Sequence, residues 1–250
     1  MKAIILAAGY AVRMYPMTKK IAKPLINIAD KPIIEYIIEK IRPITTKIYV
    51  VTNNKFFPQF EKWLKYYPDN ENIEILNDGT MSEDVRLGAL GDIQFVIDKK
   101  KLDEDLMIIA GDNLFQFGLE EMKKFFKEKN APVIALYDVK NYEYAKKFGI
   151  AEINKKGRIV SFEEKPHNPK STLSATLIYM FTKNTIKQLN EYMEKHKSRD
   201  QAGHFIQYLY KKSEVYGFVY GTKPNEKWFD IGSFEGLEAA DKEYRSKKKV

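Results

Sequence analysis

Apolar positions recur along the chain with two alternating periods, and this alternation gives the first structural prediction. Lys2 to Ala8 is a short continuous apolar run closed by Gly9, the pattern of a strand buried on both faces of a parallel sheet. A long polar loop follows. From Pro32 onward, Ile33, Ile34, Ile37, Ile38 and Ile41 fall at helical spacing, with the proline where a first turn tolerates it. The same βα alternation then predicts strands at Lys47 to Thr52, Ile73 to Leu76 and Asp105 to Ala110, and helices near Phe57 to Tyr67, Leu87 to Asp98 and Leu119 to Lys129. Strands joined by helical crossovers predict an α/β fold, a Rossmann-like doubly wound mixed sheet.

Beyond about residue 130 the order loosens. Val133 to Val139, Gly149 to Asn154 and Arg158 to Glu163 read as strands, the last two joined by the hairpin turn Lys155-Lys156-Gly157. A strand near Ala175 to Phe181, helices near Thr185 to His196 and His204 to Lys212, a strand at Val215 to Tyr220 and a terminal helix complete the pattern. No solenoid repeat and no Pro/Gly/Ser-rich linker interrupts it. The expectation is one domain over residues 1–250 whose second half builds a lid or substrate lobe.

Composition narrows the function classes. Hydrophobic residues at 44% and aromatics at 13% exclude a disordered chain. The net charge of +8 raises nucleic acid as a partner, but Arg245, Lys247, Lys248 and Lys249 supply half of it. That tail lacks interleaved aromatics, so it reads as a frayed, solvated helix end, and no nucleic-acid partner is expected. The absence of cysteine excludes a disulfide scaffold, a thiolate zinc site and a cysteine nucleophile. His167, His196 and His204 are too widely spaced to suggest a histidine metal cluster. The N-terminal apolar run is too short to span a bilayer or to serve as a secretory signal, so a cytoplasmic protein without a membrane partner is expected.

In an open parallel sheet, ligands bind outside the carboxyl ends of the strands. Three segments fall there. The first runs from Leu6 through Gly9 and Arg13 to Lys23-Pro24-Leu25, a glycine turn and two cations suited to phosphate. The second is Gly111-Asp112-Asn113, where a carboxylate ends a very apolar strand and suits Mg²⁺, although Asp112 could equally form a turn. The third is Trp228-Phe229-Asp230-Ile231-Gly232-Ser233, whose lone carboxylate needs a partner, a metal or a helix to cap.

Together these segments resemble the sugar-1-phosphate nucleotidyltransferases, particularly glucose-1-phosphate thymidylyltransferases and uridylyltransferases. The opening Leu-Ala-Ala-Gly, Arg13, Pro16-x-Thr18 and Lys23-Pro24-Leu25 resemble the family signature. Gly111-Asp112-Asn113, Phe148-Gly149-Ile150-Ala151-Glu152, Glu163-Glu164-Lys165-Pro166 and Trp228-Phe229-Asp230-Ile231-Gly232 follow in family order, over residues 1 to about 240. The resemblance implies a nucleotide-diphospho-sugar transferase fold, with residues 1–130 as a nucleotide-binding half, 131–240 as a sugar-binding half and 241–250 as a basic tail. It implies transfer from dTTP or UTP to a sugar-1-phosphate, with glucose-1-phosphate the leading candidate. Leu6, Ala8, Gly9, Arg13 and Lys23 would hold the nucleotide, with Asn77 and Gly88 at the pyrimidine base. Asp112, Gly149, Glu164, Lys165 and Ala175 would bind the sugar, with Gly149, Glu164 and Ala175 facing its hydroxyls and Lys165 its phosphate, and Asp112 and Asp230 would hold Mg²⁺. Arg13, Lys23 and Lys165 would be the catalytic cations. Family members commonly assemble, so a homo-oligomer is compatible with the resemblance.

Some positions depart from the family. Ala11 and Leu177 stand where glycines are usual, Val12 replaces a small or hydroxyl residue, and Ala22 stands where proline often precedes the lysine. The stretch from Asn77 to Gly88 also differs in length and sequence. A cytidylyltransferase for a non-sugar phosphate such as phosphocholine would share the first motif and the metal carboxylates, but not Gly149, Glu164 and Lys165. A non-catalytic nucleotide-sugar sensor would keep the pocket without chemistry, and a Rossmann dehydrogenase would need a G-x-G-x-x-G that the first turn lacks. Since the chain stops soon after Asp230, the C-terminal acyltransferase β-helix of some relatives is expected to be absent.

Overall fold

The computed structural model describes residues 1–196 and 200–248; Lys249 of the basic cluster lies outside them. The first half builds β1 (Lys2–Leu6), α1 (Met17–Lys20), β2 (Asn27–Ile28), β3 (Lys31–Pro32), α2 (Ile33–Ile41), β4 (Ile48–Thr52), α3 (Phe57–Tyr66), β5 (Ile73–Asn77), α4 (Gly88–Lys100), β6 (Leu106–Ala110), β7 (Asn113–Phe115) and α5 (Glu120–Lys129). The second half adds β8 (Val133–Asp138), α6 (Tyr142–Ala145), β9 (Gly149–Ile153), β10 (Ile159–Glu164), β11 (Leu173–Phe181), α7 (Lys183–Lys195), α8 (Ala202–Lys212), β12 (Tyr216–Tyr220), β13 (Trp228–Asp230) and α9 (Phe234–Lys248).

Among the described residues the main sheet has nine strands. β5, β4, β1 and β6 lie side by side and run parallel. β11 joins β6 antiparallel and continues the sheet to β8, β9 and β10, while β12 pairs parallel with β8. Strands of the second half thus extend the sheet begun by the first. The continuous apolar runs have a direct consequence: Ala3, Ile5, Val50, Met107 and Ile109 point into one core layer with α2, and Ile4, Val51, Leu106 and Ile108 point into the other with α4, α7 and α8. Both faces of the sheet are covered, as period-two side chains of a doubly wound sheet require.

The basic C-terminal segment differs from expectation, because its first residues are docked. Tyr244 donates to the Phe115 carbonyl at 3.2 Å, and Arg245 forks onto Asp30 at 3.0 Å for both nitrogens while its Nε reaches Asp241 at 2.7 Å. Asp30 lies in the turn between β2 and β3, more than two hundred residues away. No local pattern could have signalled that partner.

One acid is buried inside the fold. Asp92 on α4 is 6% exposed, and its Oδ1 has no hydrogen-bond partner; the Oδ2 of the neighbouring Asp78 has none either. Burial, reinforced by the Asp78 charge, pushes the Asp92 carboxyl up to about 8. A carboxyl raised on folding contributes its full stability below its unfolded value near 4, and that contribution is lost as pH climbs toward 8. Asp92→Asn has no charge to bury. Its stability advantage over the parent is therefore expected to widen by about 2–4 kcal/mol between roughly pH 5 and pH 8. Urea unfolding at the two pH values measures this, and a gap independent of pH would mean that Asp92 titrates alike in the folded and unfolded chains.

Candidate active site

The site begins where β1 and β6 end together. Gly111 donates its N–H to the Leu6 carbonyl at 2.7 Å, and a Cβ added at Gly111 would lie 2.8 Å from that oxygen and 3.1 Å from Pro24. Only glycine lets the end of β6 approach the Lys23–Leu25 turn this closely. The next side chain, Asp112, consequently meets Lys23: Nζ to Oδ2 is 2.7 Å. Lys23 is 9% exposed, so its ammonium needs such a partner, whereas the Asp112 side chain remains 42% exposed to the cleft.

Asp230 arrives from the far end of the sequence. β13 pairs antiparallel with β7, and the register sets Asp230 opposite Asn113. That puts Asp230 opposite the residue that follows Asp112 in the chain. The Asn113 amide locks the arrangement, accepting from Trp228 Nε1 at 2.6 Å and donating to the carbonyls of Thr176 and Leu177. Asp230 is not the cap of the following helix, since Ser233 Oγ accepts the Gly236 N–H at 3.1 Å. Instead Tyr144 Oη donates to Asp230 Oδ2 at 3.5 Å, and burial together with this carboxylate pushes the phenol up to about 12.

Asp112 and Asp230 line one cleft of about 360 Å³ together with Gly149, Glu164, Lys165 and Ala175. Glu164 is not a solvated strand end. Its carboxylate sits where a Cβ on Gly149 would be 2.8 Å away and one on Gly203 would overlap it outright. Burial raises its affinity for a proton, and Lys165 and His204 oppose that shift. Gln201, with its amide oriented to satisfy both neighbours, donates to Glu164 Oε1 at 3.3 Å and accepts from Lys165 Nζ at 3.1 Å.

The remaining predicted residues sit at the same sheet edge but outside the lining of this cleft. Leu6 ends β1, and Ala8 and Gly9 begin the loop after it. A Cβ at Gly9 would meet nothing within 4 Å, so this backbone is open to an incoming group. The left-handed turn of the loop falls instead on Ala11, at φ 48°, braced by Thr18 Oγ1 donating to the Ala11 carbonyl at 2.8 Å. Arg13 is exposed and forms no ion pair among the described residues. Asn77 has both ends of its amide engaged, donating to Asn54 at 2.6 Å and accepting from the Gly79 N–H at 2.8 Å. Gly88 opens α4 at φ 76°, and its neighbour Ala89 reaches the cleft.

The departures noted in the sequence acquire reasons. Ala22 donates its N–H to Gln59 Oε1 at 3.1 Å, a bond that proline could not make. Leu177 adopts φ 54° where the pairing of β11 with β8 shifts register, which turns its carbonyl and that of Thr176 toward Asn113. Sequence reasoning missed Tyr144, Lys147, Gln201 and Gly203. Lys147 lies beside the quoted Phe148-Gly149 motif, but Tyr144 meets Asp230 from α6 and Gln201 and Gly203 come to the cleft at the start of α8, and no local signal marks them.

Residues 2–247 match the nucleotidyl transferase family. The chain is 33% identical over 233 residues to the bifunctional protein GlmU of Methanocaldococcus jannaschii, covering 93% of this chain and 51% of that one. It is 31% identical over 192 residues to the glucose-1-phosphate thymidylyltransferase of Neisseria meningitidis, covering 75% and 63%. The chain thus spans about half the length of the GlmU relatives it matches. Its fold is similar to that of an apo UDP-glucose pyrophosphorylase, with TM-score 0.82 at 22% identity, covering 99% of this chain and 98% of the other. A UDP-glucose pyrophosphorylase complexed with UDP-glucose gives 0.81 at 23%, covering 98% of each. Among the described residues no helix is long and apolar enough to cross a membrane. With the family match running nearly end to end over a doubly wound sheet whose carboxyl edge gathers these acids and cations, the chain belongs to the nucleotidyl transferase family.

Proposed function

We propose that this chain joins a sugar-1-phosphate, glucose-1-phosphate being the first candidate, to the nucleotidyl group of dTTP or UTP, releasing pyrophosphate. The observation that carries the reading is the shared cleft: Asp112 and Asp230 across the β7–β13 pair, Lys23 on Asp112, and Glu164 with Lys165 facing them. A phosphate monoester is already a nucleophile at neutral pH. One of its oxygens attacks the α-phosphorus, a P–O bond to that oxygen forms, and the bond to the pyrophosphate leaving group breaks. No proton need be removed by the protein. The task left to the chain is to align two polyanions and offset their repulsion.

Each residue then has a physical role. Arg13 and Lys23 neutralise the triphosphate, beside the open backbone at Ala8 and Gly9. Lys165 holds the sugar phosphate, and Glu164 accepts hydrogen bonds from sugar hydroxyls, favoured by its half-apolar surroundings between Gly149 and Gly203. The donor set of Asp112 and Asp230 fits Mg²⁺: both donors are hard carboxylate oxygens, and among the described residues no group of three or more acids or histidines is placed to hold an ion, so further ligands would come from substrate phosphates and water. Bound there, the ion supplies positive charge to the phosphoryl oxygens.

Pyrophosphate release across a matrix of dTTP, UTP and CTP against glucose-1-phosphate, other sugar-1-phosphates and phosphocholine tests the reading. Release with a sugar-1-phosphate supports it. Release only with phosphocholine, or nucleotide binding without release, sinks it. Gly203→Ala supplies an independent check. Its Cβ must displace the Glu164 carboxylate, the far end of a flexible side chain, so the fold should survive while KM for the sugar phosphate rises about 10- to 100-fold and KM for the triphosphate stays near its parent value. Equal losses on both substrates would refute the sugar-side role of Glu164.

A further inference from the structure

The two substrate sides are joined by a contact across the mouth of the cleft. Arg86 lies two residues before Gly88, in the loop between β5 and α4, and its guanidinium forks onto Asp200: Nε to Oδ1 is 3.0 Å and Nη2 to Oδ2 is 2.9 Å. A second link runs in parallel, with the Ala89 N–H donating to the Asp200 carbonyl at 3.1 Å. Asp200 is thus gripped by side chain and backbone from the nucleotide side. The next residue is Gln201, whose amide bridges Glu164 and Lys165, and the first turn of α8 carries Gly203 hard against the Glu164 carboxylate. Asp200 is therefore linked to Glu164 and Lys165 through its neighbour Gln201 and the first turn of α8.

We propose that the Arg86–Asp200 fork is a positioning couple, through which nucleotide bound against the loop before α4 sets Gln201, Glu164 and Lys165 for the sugar phosphate. The inference rests on the nucleotidyltransfer reading above and adds to it Arg86, outside the cleft lining, and Asp200, which is part of it. Stability does not explain the fork. Its side chains are 35% and 50% exposed, where an ion pair contributes little. A bidentate guanidinium–carboxylate pair does fix orientation, and this one spans 114 residues of sequence. Glu83 also pairs with Arg86, so the guanidinium is oriented from its own loop before it meets Asp200. Coupling of this kind is reciprocal: whatever factor the nucleotide contributes to sugar-phosphate affinity, the sugar phosphate returns.

The test is calorimetric. Glucose-1-phosphate is titrated with Mg²⁺ present, with and without the unreactive α,β-methylene analogue of whichever triphosphate supports pyrophosphate release. In the parent protein the analogue should tighten glucose-1-phosphate by about 5- to 10-fold or more. In Arg86→Ala this factor should fall to about twofold or less, while affinity measured without nucleotide changes little; Asp200→Asn, at a residue that lines the cleft, should lose the same factor. The paired reversal Arg86→Asp with Asp200→Arg should restore part of the factor, which a merely structural loss would not do. A parent that binds both ligands independently, or variants that keep the full factor, overturns the couple but leaves the reaction standing. If no triphosphate supports release, the nucleotidyltransfer reading falls and the couple falls with it.

Discussion

Asp112→Asn is expected to lower turnover by about 10²- to 10⁴-fold, the loss typical when a charge acting on a phosphoryl transition state is removed. The fold should tolerate the change. An amide oxygen at position 112 can still accept from Lys23 Nζ, so the buried ammonium keeps a hydrogen-bond partner, and neither the Gly111–Leu6 contact nor the β7–β13 ladder involves the lost charge. An unfolding free energy within about 1–2 kcal/mol of the parent is expected. Pyrophosphate release gives the turnover, and the paramagnetic signal of added Mn²⁺ gives metal affinity without relying on activity; the variant should lose both. Near-parent turnover with Mg²⁺ would remove Asp112 from the chemistry.

The contrast between Asp112 and Asp92 marks how far sequence alone could lead. Asp112 follows an apolar strand, a position where topology exposes a side chain to the ligand crevice, so its place was legible before any contact was known. Asp92 occupies one position of a helix, where an acid ordinarily faces water; here it is buried beside Asp78, a neighbour from the loop after β5 that no local pattern signals. The strand and helix order was readable for the same reason as Asp112. A continuous apolar run such as β1, in which Ala3, Ile4 and Ile5 are all fully buried, can only lie between two helical layers.

What the sequence hid is mostly long-range pairing. β7 and β13 are three residues each, too short for a periodic signal, yet their register is what brings Asp230 opposite Asn113 and into the cleft that Asp112 lines. Gln201 and Gly203 begin a helix whose pattern says only that one face is apolar, and their approach to Glu164 depends on how α8 seats on β10. Ala11 and Leu177 stand out for another reason. Both replace expected glycines and both adopt left-handed backbone, at φ 48° and φ 54°, so the local geometry outlasts the residue that makes it easy. At such positions an L residue costs about 1 kcal/mol, small enough for the surrounding hydrogen bonds from Thr18 and Asn113 to offset.

Lys23→Met is expected to lower turnover by about 10²- to 10³-fold, with the larger share of the loss tied to the triphosphate. Methionine keeps the apolar stem that fills the buried position, so the variant separates charge from packing. Breaking a buried ion pair ordinarily costs stability because a charge is stranded, but here the stranded partner would be Asp112, whose side chain is 42% exposed and can turn to water. The unfolding midpoint should therefore move little while KM for the triphosphate rises, since two carboxylates facing the cleft would then repel the polyanion with one fewer cation to oppose them. A cycle with Asp112→Asn distinguishes two roles for the lysine. If Lys23 served only to hold Asp112, removing it from the Asp112→Asn background would cost nothing further. Direct neutralisation of substrate phosphate predicts a second loss of about tenfold or more in the double variant, and its absence would confine Lys23 to a supporting role.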